Sequence, residues 1–237
     1  AGTEWRLARD PSFYPEPDDR RFEAGGSDRT FPHRLPDDWT MASGQIEYFS
    51  PMDSLTLDVA LAGVRSLRLG EREGTDFLAI SLSTLDNIGH RWGPGSREVH
   101  DHLLNLDRYL GWFLDSLART VPLDQVVISL TADHGVVEFP EAGRGGRATI
   151  SAQLRTLNQW AQARWGLKLE ASNQGGLVLA NTKDLKARGV NVDSLATAMA
   201  RELRALPGVR AVYTPRSLAA APRTDREAGL WRRQISV

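Results

Sequence analysis

Two pairs of acidic and imidazole side chains are the candidate metal ligands of this sequence. Asp86 and His90 lie in the glycine-rich stretch DNIGHRWGPGSRE, and Asp133 and His134 lie in TADHG. A carboxylate and an imidazole four residues apart can bind one cation if the backbone between them makes about one turn. These ligands suit zinc best, and manganese or iron less well. Taken alone, a pair at this spacing is more often a surface ion pair or a hydrogen bond at a helix entrance.

The second pair is more informative because an apolar segment leads directly into it. The run Val126–Leu130 (VVISL) predicts a buried strand that ends at Asp133. An ionised carboxylate resists burial unless a charge compensates it, and a bound cation would do so. The run Phe77–Leu82 (FLAISL) likewise precedes Asp86. Because ligands bind beyond the carboxyl ends of strands in such sheets, we expect both pairs to share one site.

Three further histidines are not expected to bind the metal. His100 and His102 are two residues apart on a predicted helix, so they face different sides. At least one of them is expected to be solvated or to lie behind the ligands. His33, in FPHRLP, could approach the site, but its expected role is local hydrogen bonding.

The elements that must position the two pairs follow the order helix, strand, helix, strand. Apolar residues at helical spacing after Asp53 predict a helix that stops at Gly70. Ser96 is predicted to cap a second helix with an apolar stripe. The members of this stripe are Val99, Leu103, Leu106, Leu110, Phe113, Leu114 and Leu117. With continuous apolar strands between the helices, this order predicts an α/β fold, a mostly parallel sheet flanked by helices.

The two ends of the chain have a different character. Residues 1–50 are rich in Pro, Asp, Arg and Gly, and predict an irregular segment held to a surface by its aromatic side chains. These aromatics are Trp5, Phe13, Tyr14, Phe22, Phe31 and Trp39. Residues 150–237 predict a small α+β cap region, and residues 1–149 the metal-binding part. The predicted cap elements are helices at 150–165 and 192–206 and strands at 167–171, 177–180 and 208–214.

Composition limits the classes of partner. The 237 residues contain 29 Lys and Arg against 30 Asp and Glu, a net charge of -1, so no nucleic acid polymer or anionic membrane is expected. The absence of cysteine excludes disulfides and thiolate zinc sites. No apolar run approaches the roughly 20 residues of a membrane span, and the first residues have no signal-peptide pattern. The compartment therefore stays undecided.

Several motifs together resemble the alkaline phosphatase superfamily. They are FPH near residue 31, FSPMDSLTLDVA at 49–60, the long segment at 75–117, and ISLTADHG at 128–135. The nearest branch is that of type I phosphodiesterases and nucleotide pyrophosphatases, together with related bacterial alkaline phosphatases. The resemblance implies an alkaline-phosphatase-like fold and a hydrolase, usually with two zinc ions, that acts on small-molecule phosphate esters. It also suggests a periplasmic or secreted enzyme.

In that family pattern each pair holds part of one metal site. The resemblance implies that Asp86 and His90 bind one metal with a later histidine. Asp133 and His134 would bind the other, with an early aspartate and a nucleophilic Thr or Ser. No early strand carrying such an aspartate and nucleophile is present, and no histidine follows His134. Ser83 and Thr84 are assigned no nucleophilic role because they precede the Asp86 loop.

We therefore expect a fragment that lacks the remainder of its catalytic domain, binds zinc weakly and turns over little substrate alone. A non-catalytic relative that uses the cleft for binding or interaction is the main alternative. It predicts the missing nucleophile, but it gives no reason for all four ligands to be retained. A sulfatase or phosphoglycerate-mutase-like member of the superfamily fits the DNIGHRWGPGSRE stretch less well. The sequence leaves monoester and diester substrates both open.

Overall fold

The computed structural model describes residues 2–143, 150–166, 169, 172–174, 176–179, 183–187 and 189–235. The chain divides into two compact units, Ala1–Gly143 and Arg144–Val237. Their assignment to a metal-binding part (1–149) and a cap (150–237) stays a prediction. Within the described ranges, no helix has both the length and the hydrophobicity needed to cross a membrane.

The first unit is mainly helical. Its α-helices are α1 (Trp39–Ser43), α2 (Pro51–Ser66), α3 (Thr84–Trp92) and α4 (Arg97–Leu117). Short 3-10 turns lie at Pro11–Phe13, Glu23–Gly26, Ile46–Tyr48, Leu123–Gln125 and Pro140–Ala142. Two short strands, β1 (Glu4–Trp5) and β2 (His33–Arg34), pair antiparallel, with Trp5 opposite His33.

Helices α2 and α4 confirm the periodicity of the sequence. Leu57, Leu61 and Val64 of α2 form a core with Phe113 and Leu117 of α4. The hydroxyl of Ser96 accepts a hydrogen bond from the backbone nitrogen of Val99 at 3.2 Å, as expected of an N-cap. The stretch around Asp86, expected to be a loop, is instead helix α3.

The amino-terminal half of α4 departs from the predicted apolar stripe. Leu103 is 47% exposed, whereas Asp101 and His102 are fully buried. Asp101 accepts hydrogen bonds from the Trp5 indole at 2.7 Å and from the Tyr14 hydroxyl at 2.6 Å. The aromatic side chains of the amino-terminal segment therefore anchor it to α4 through polar contacts, which an apolar periodicity does not reveal.

The aromatic anchoring is confirmed only for some of the six side chains. Trp5 and Tyr14 are buried, whereas Phe13 is 53% and Trp39 77% exposed. Trp5 belongs to a second core in this unit, which surrounds α3. Its buried members are Trp5, Leu35, Ala42, Phe49, Ile88 and Trp92.

The predicted parallel sheet is not confirmed. Residues 77–82 and 126–130 form no ladder with each other or with any other described segment. Phe77 is 90%, Val127 97% and Leu130 87% exposed. A parallel strand is stable when neighbours pair with it and helices cover both of its faces. Here no described neighbour pairs with either segment, and the core of α2 and α4 covers only Ile80, Leu82 and Val126. The apolar composition of the two segments is real, but its full burial requires partners that the described residues do not supply.

The second unit contains helices and one small sheet. Its helices are α5 (Ser151–Trp165), α6 (Lys183–Ala187), α7 (Val192–Arg204), α8 (Pro215–Ala220) and α9 (Arg226–Ile235). Strands β3 (Ser172–Gln174) and β4 (Leu177–Leu179) pair antiparallel. The core contains Leu154, Leu157, Ala161, Leu169, Leu185, Leu195, Met199 and Leu203.

The second unit confirms both predicted helices and one of the predicted strands. Asn191 caps α7 by accepting a hydrogen bond from the Ser194 backbone nitrogen at 2.9 Å. Apart from Leu169, the predicted strand at 167–171 lies outside the described residues, and β3 occupies part of its predicted turn. Residues 209–214 form no strand; they lead into α8, which is capped by Thr214.

Candidate metal centre

Helix α3 carries the first ligand pair. Asp86 lies in its first turn and His90 one turn later, so both side chains lie on one helix face. The Nε2 atom of His90 is 3.4 Å from Oδ2 of Asp86. Ile88 and Trp92, also one turn apart, are fully buried and fix the opposite face in the core. The helix therefore presents both candidate ligands towards solvent.

The second pair lies on an extended segment beside α3. The Nε2 atom of His134 is 3.6 Å from Oδ2 of Asp133 and 3.8 Å from Oδ1 of Asp86. The other imidazole nitrogen, Nδ1, donates a hydrogen bond to the carbonyl of Gly135 at 3.0 Å. All four predicted ligands are thus brought together. Asp86 lies between the two histidines, with one carboxylate oxygen facing each.

The local electrostatics favour positive charge at His134. The hydrogen bond to the Gly135 carbonyl, followed by the charges of Asp133 and Asp86, raises the pKa of the His134 imidazole above its ordinary value. The side chains remain accessible: His90 is 75%, His134 53% and Asp133 89% exposed, and Asp86 is 43% exposed. A cation that replaces the imidazole proton would meet the same carboxylates.

The donor set suits zinc in chemistry but is incomplete in number. Zinc-ligand bonds of about 2.0–2.1 Å in a tetrahedron place neighbouring donor atoms about 3.3–3.4 Å apart. The 3.4 Å separation between His90 Nε2 and Asp86 Oδ2 fits this spacing. Within the described ranges, however, no three or more His, Asp or Glu side chains are arranged to hold one ion. The four residues fit as parts of metal sites that need additional ligands.

The remaining three histidines contact other protein groups. His33 makes the predicted local hydrogen bond, to Asp28 at 2.9 Å, and also a long-range one to Glu98 of α4 at 3.0 Å. His100 contacts Glu16 at 3.0 Å. His102 is buried, with Nδ1 3.0 Å from the Ser50 hydroxyl. None of the three contacts Asp86, His90, Asp133 or His134 through a hydrogen bond or ion pair in the described structure.

The two hydroxyls near the first pair also have structural surroundings. The Ser83 hydroxyl lies 2.9 Å from that of Ser81. Thr84 is buried, and its backbone nitrogen donates to Asp53 at 3.4 Å. Their lack of a nucleophilic role stays a prediction.

Sequence reasoning missed the residues that hold α3 in place. Asp28 contacts Arg91 and Trp92 at the end of the helix, and Asp53 contacts Thr84 at its start. Both acidic residues lie in segments far from the ligand motifs. Asp28 lies close to the FPH motif and Asp53 lies within FSPMDS, which could have drawn attention to both residues. Residue type alone did not distinguish them from surface carboxylates.

An open cavity of about 350 Å³ adjoins the first pair. It is lined by Ala24, Gly25, Tyr48, His90 and Arg91. Ala24 has φ 46° and Gly25 φ 63°, so this wall contains a non-glycine residue in the left-handed region. The cavity gives a small molecule access to the His90 side of the centre.

Comparison with known proteins shows the family. The model of the type I phosphodiesterase / nucleotide pyrophosphatase family matches residues 5–227. The chain therefore belongs to this family, which confirms the resemblance to the alkaline phosphatase superfamily.

Individual relatives agree with this assignment. The chain is 34% identical over 142 residues to alkaline phosphatase PhoV of Synechococcus elongatus, which covers 58% of this chain and 26% of that protein. It is 30% identical over 189 residues to alkaline phosphatase PhoK of a Sphingomonas species, which covers 76% and 33%. The crystal structure of alkaline phosphatase PafA matches with a TM-score of 0.77 at 25% identity, and covers 93% of this chain and 44% of that one.

The fold is accordingly alkaline-phosphatase-like. The chain spans about a quarter to a third of these two curated relatives, and less than half of the matching crystal structure.

Proposed function

We propose that this chain is part of a metal-dependent phosphoester hydrolase in which Asp86, His90, Asp133 and His134 contribute ligands to two divalent metals. The observation that carries the proposal is that His90 and His134, from two motifs far apart in sequence, both lie within 4 Å of the Asp86 carboxylate. Zinc is the proposed metal because the donors are imidazole and carboxylate only. The names of the relatives support hydrolysis of phosphate esters.

The bound metals would supply positive charge to activate a nucleophile or water and to neutralise the transferring phosphoryl group. The residues of this chain would orient that charge. His90 and His134 each direct Nε2 towards Asp86, and the Gly135 carbonyl holds Nδ1 of His134 as the donor. A fixed tautomer leaves Nε2 available as a ligand once its proton is released.

The nucleophile and the remaining ligands would come from a part of the catalytic domain outside these 237 residues. The exposed apolar side chains of residues 77–82 and 126–130 support this view. In the complete protein we propose that both segments become strands of a parallel sheet, which would bury Phe77, Val127 and Leu130. The ends of these strands would then hold the ligand pairs rigidly.

The proposed substrate is a small-molecule phosphate ester. The cavity beside His90 offers space for the organic part of such an ester. The relatives include alkaline phosphatases, whereas the family name refers to phosphodiesterases. An assay is therefore needed to distinguish monoester from diester substrates.

The proposal is tested by assaying the complete parent protein with an aryl phosphate and a bis-aryl phosphate, with zinc and after chelation. Asp86→Asn and Asp133→Asn should each lower turnover by about 100-fold or more, because each removes a metal-binding charge. Asp115→Asn, which changes an exposed carboxylate on α4, is the matched control and should retain activity. Retained turnover in both ligand variants would refute the proposal. A parent protein without any hydrolase activity would favour a non-catalytic binding role.

A further inference from the structure

The most unusual buried group outside the candidate metal centre is His33. Its side chain is completely buried, with Nδ1 2.9 Å from Oδ1 of Asp28 and Nε2 3.0 Å from Oε1 of Glu98. Only an imidazolium can donate hydrogen bonds to two carboxylates at once. Burial by itself would lower the pKa of His33, but the hydrogen bonds to both carboxylates and their charges raise it to about 8.

Asp28 extends this buried charge to the end of helix α3. Its Oδ2 atom is 3.2 Å from the Arg91 guanidinium, and its backbone carbonyl accepts a hydrogen bond from the Trp92 indole at 2.7 Å. Arg91 and Trp92 directly follow His90. The Trp92 ring also packs against the His33 ring, with centroids 4.7 Å apart.

A second acidic residue holds the opposite end of the same helix. Asp53 of α2 is 1% exposed, and its Oδ1 accepts a hydrogen bond from the Thr84 backbone nitrogen at 3.4 Å. Its Oδ2 lies 3.2 Å from Nε2 of His102, which is itself fully buried. An acid at a helix start is also favoured by the helix dipole. Each end of α3 is therefore held by an Asp-His couple from another part of the fold, with Asp53 and both histidines buried and Asp28 partly buried.

The charged groups around His33 determine whether its imidazole keeps its second proton. Two carboxylates, those of Asp28 and of Glu98 in α4, contact His33. Arg91 contacts Asp28, and Glu23 is a third carboxylate, whose pKa is affected by the charge of Glu98. Burial and then the charge of Glu98 raise the pKa of Glu23 to about 7. Arg20 contacts Glu23 directly, through its backbone nitrogen at 3.2 Å and its guanidinium at 3.6 Å, and both contacts oppose this rise in the pKa of Glu23. The rings of Trp5, Phe31 and Trp92 around His33 are uncharged.

We propose that Asp28, backed by His33, and Asp53, backed by His102, are positioning residues that fix both ends of α3 and thereby hold Asp86 and His90 in ligand geometry. This inference rests on the proposed function for its metal, but the restraint on the helix is independent of any metal. His33 and Asp28 are the couple whose action depends on pH, because deprotonation of His33 removes one of its two hydrogen bonds.

The first test measures the restraint without metal, by amide hydrogen exchange of residues 89–93 in wild type and Asp28→Asn at pH 7. Loss of a charged hydrogen-bond partner should accelerate exchange there by about tenfold, while amides in the second half of α4 keep their rates. The matched control, Asp19→Asn, breaks the ion pair to Arg29 in the same segment without contacting α3, and should exchange like wild type. Unchanged exchange in Asp28→Asn would overturn the proposal.

The second test measures zinc affinity by chelator competition for the same proteins between pH 7 and pH 9.5. Asp28→Asn should bind zinc about tenfold more weakly than wild type at pH 7, in line with other residues that support metal ligands. The ratio should decrease towards pH 9.5, because wild-type His33 then donates only one of its two hydrogen bonds. Ionisation of the ligands is common to both proteins and cancels in the ratio. Equal affinity at pH 7 would contradict a positioning role. If zinc does not bind but exchange in Asp28→Asn is accelerated, the restraint on α3 stands and the proposed metal site fails.

Discussion

The two ligand pairs have similar chemistry but opposite structural support. Asp86 and His90 lie on a helix whose inner face is anchored by the buried Ile88 and Trp92. Asp133 and His134 lie on an extended segment that is exposed throughout residues 127–138. The first pair is therefore held in place by the packing of its own helix. The second pair depends on contacts that the described residues do not provide.

This difference arises because apolar residues stabilise a segment only where they are buried. The apolar residues of α3 stabilise the unit because they are buried at helical spacing. In residues 77–82 and 126–130, Ile80, Leu82 and Val126 pack against the core of α2 and α4, but Phe77, Val127 and Leu130 are exposed and contribute little stabilisation in water. A ligand motif that follows an apolar segment is therefore held rigidly only where other residues pack against that segment. The following predictions test this contrast between the supported and the unsupported pair.

The largest effect is expected at Trp92. Trp92→Ala removes a fully buried ring and its hydrogen bond to the Asp28 carbonyl. It should lower the free energy of unfolding of the first unit by about 3–5 kcal/mol. Denaturant unfolding monitored by circular dichroism measures the change. Trp39→Ala, at a side chain that is 77% exposed, is the control and should cost less than about 0.5 kcal/mol. Equal losses for both variants would show that α3 is not anchored by its inner face.

A medium effect is expected from pH. His33 has a folded pKa of about 8 against an ordinary 6.5, so its stabilisation is fully present below pH 6.5 and lost as pH rises through 8. The loss should amount to about 2 kcal/mol. Glu23, with a folded pKa of about 7 against 4.5, keeps a proton that the unfolded chain releases, so it adds a decline between pH 4.5 and 7. Unfolding titrations between pH 5 and 9 should show both declines.

The His33→Gln variant isolates the upper part of this pH dependence. Because it lacks the titrating imidazole, the decline between pH 6.5 and 8 should become shallower, while the Glu23 decline at lower pH remains. An identical pH profile for wild type and His33→Gln would contradict the assignment of the upper decline to His33.

The smallest effect is expected in the unsupported segment. Val127→Ser changes a side chain that is 97% exposed, so the free energy of unfolding of this chain should change by less than about 0.5 kcal/mol. The comparison variant Leu57→Ala, at a position buried to 1% exposure, should cost about 2–5 kcal/mol. A large loss from Val127→Ser would mean that the segment is buried in solution, and the contrast between the two pairs would fail.

The sequence predicted the long helices well, because they depend on local patterns, while the assignment of the four ligands stays a prediction. Asp86 and His90 are recognisable from their spacing, and α2 and α4 from their apolar period and the Ser96 cap. The convergence of Asp133 and His134 with the first pair was also expected, although the expected reason, a shared sheet edge, is not confirmed.

The buried polar contacts could not be predicted from local pattern. Nothing in the residue types shows that Asp53 is buried and Asp28 partly buried, while Asp58 on the same α2 helix as Asp53 is exposed. Their burial depends on partners far away in sequence, such as Arg91 for Asp28 and His102 for Asp53. The same reason explains why the apolar stripe of α4 was extended too far towards its amino-terminal end, where Asp101 takes the buried position.

The most direct test of the central claim is a zinc titration of this chain at pH 7, by chelator competition together with the ¹⁵N signals of the imidazole rings. The account predicts weak binding, with a dissociation constant in the micromolar range or above, since each ion normally needs three or four protein ligands. The signals of His90 and His134 should shift, while those of His33 and His102 should not. Nanomolar affinity, or zinc-dependent shifts that leave His90 and His134 unchanged, would contradict it.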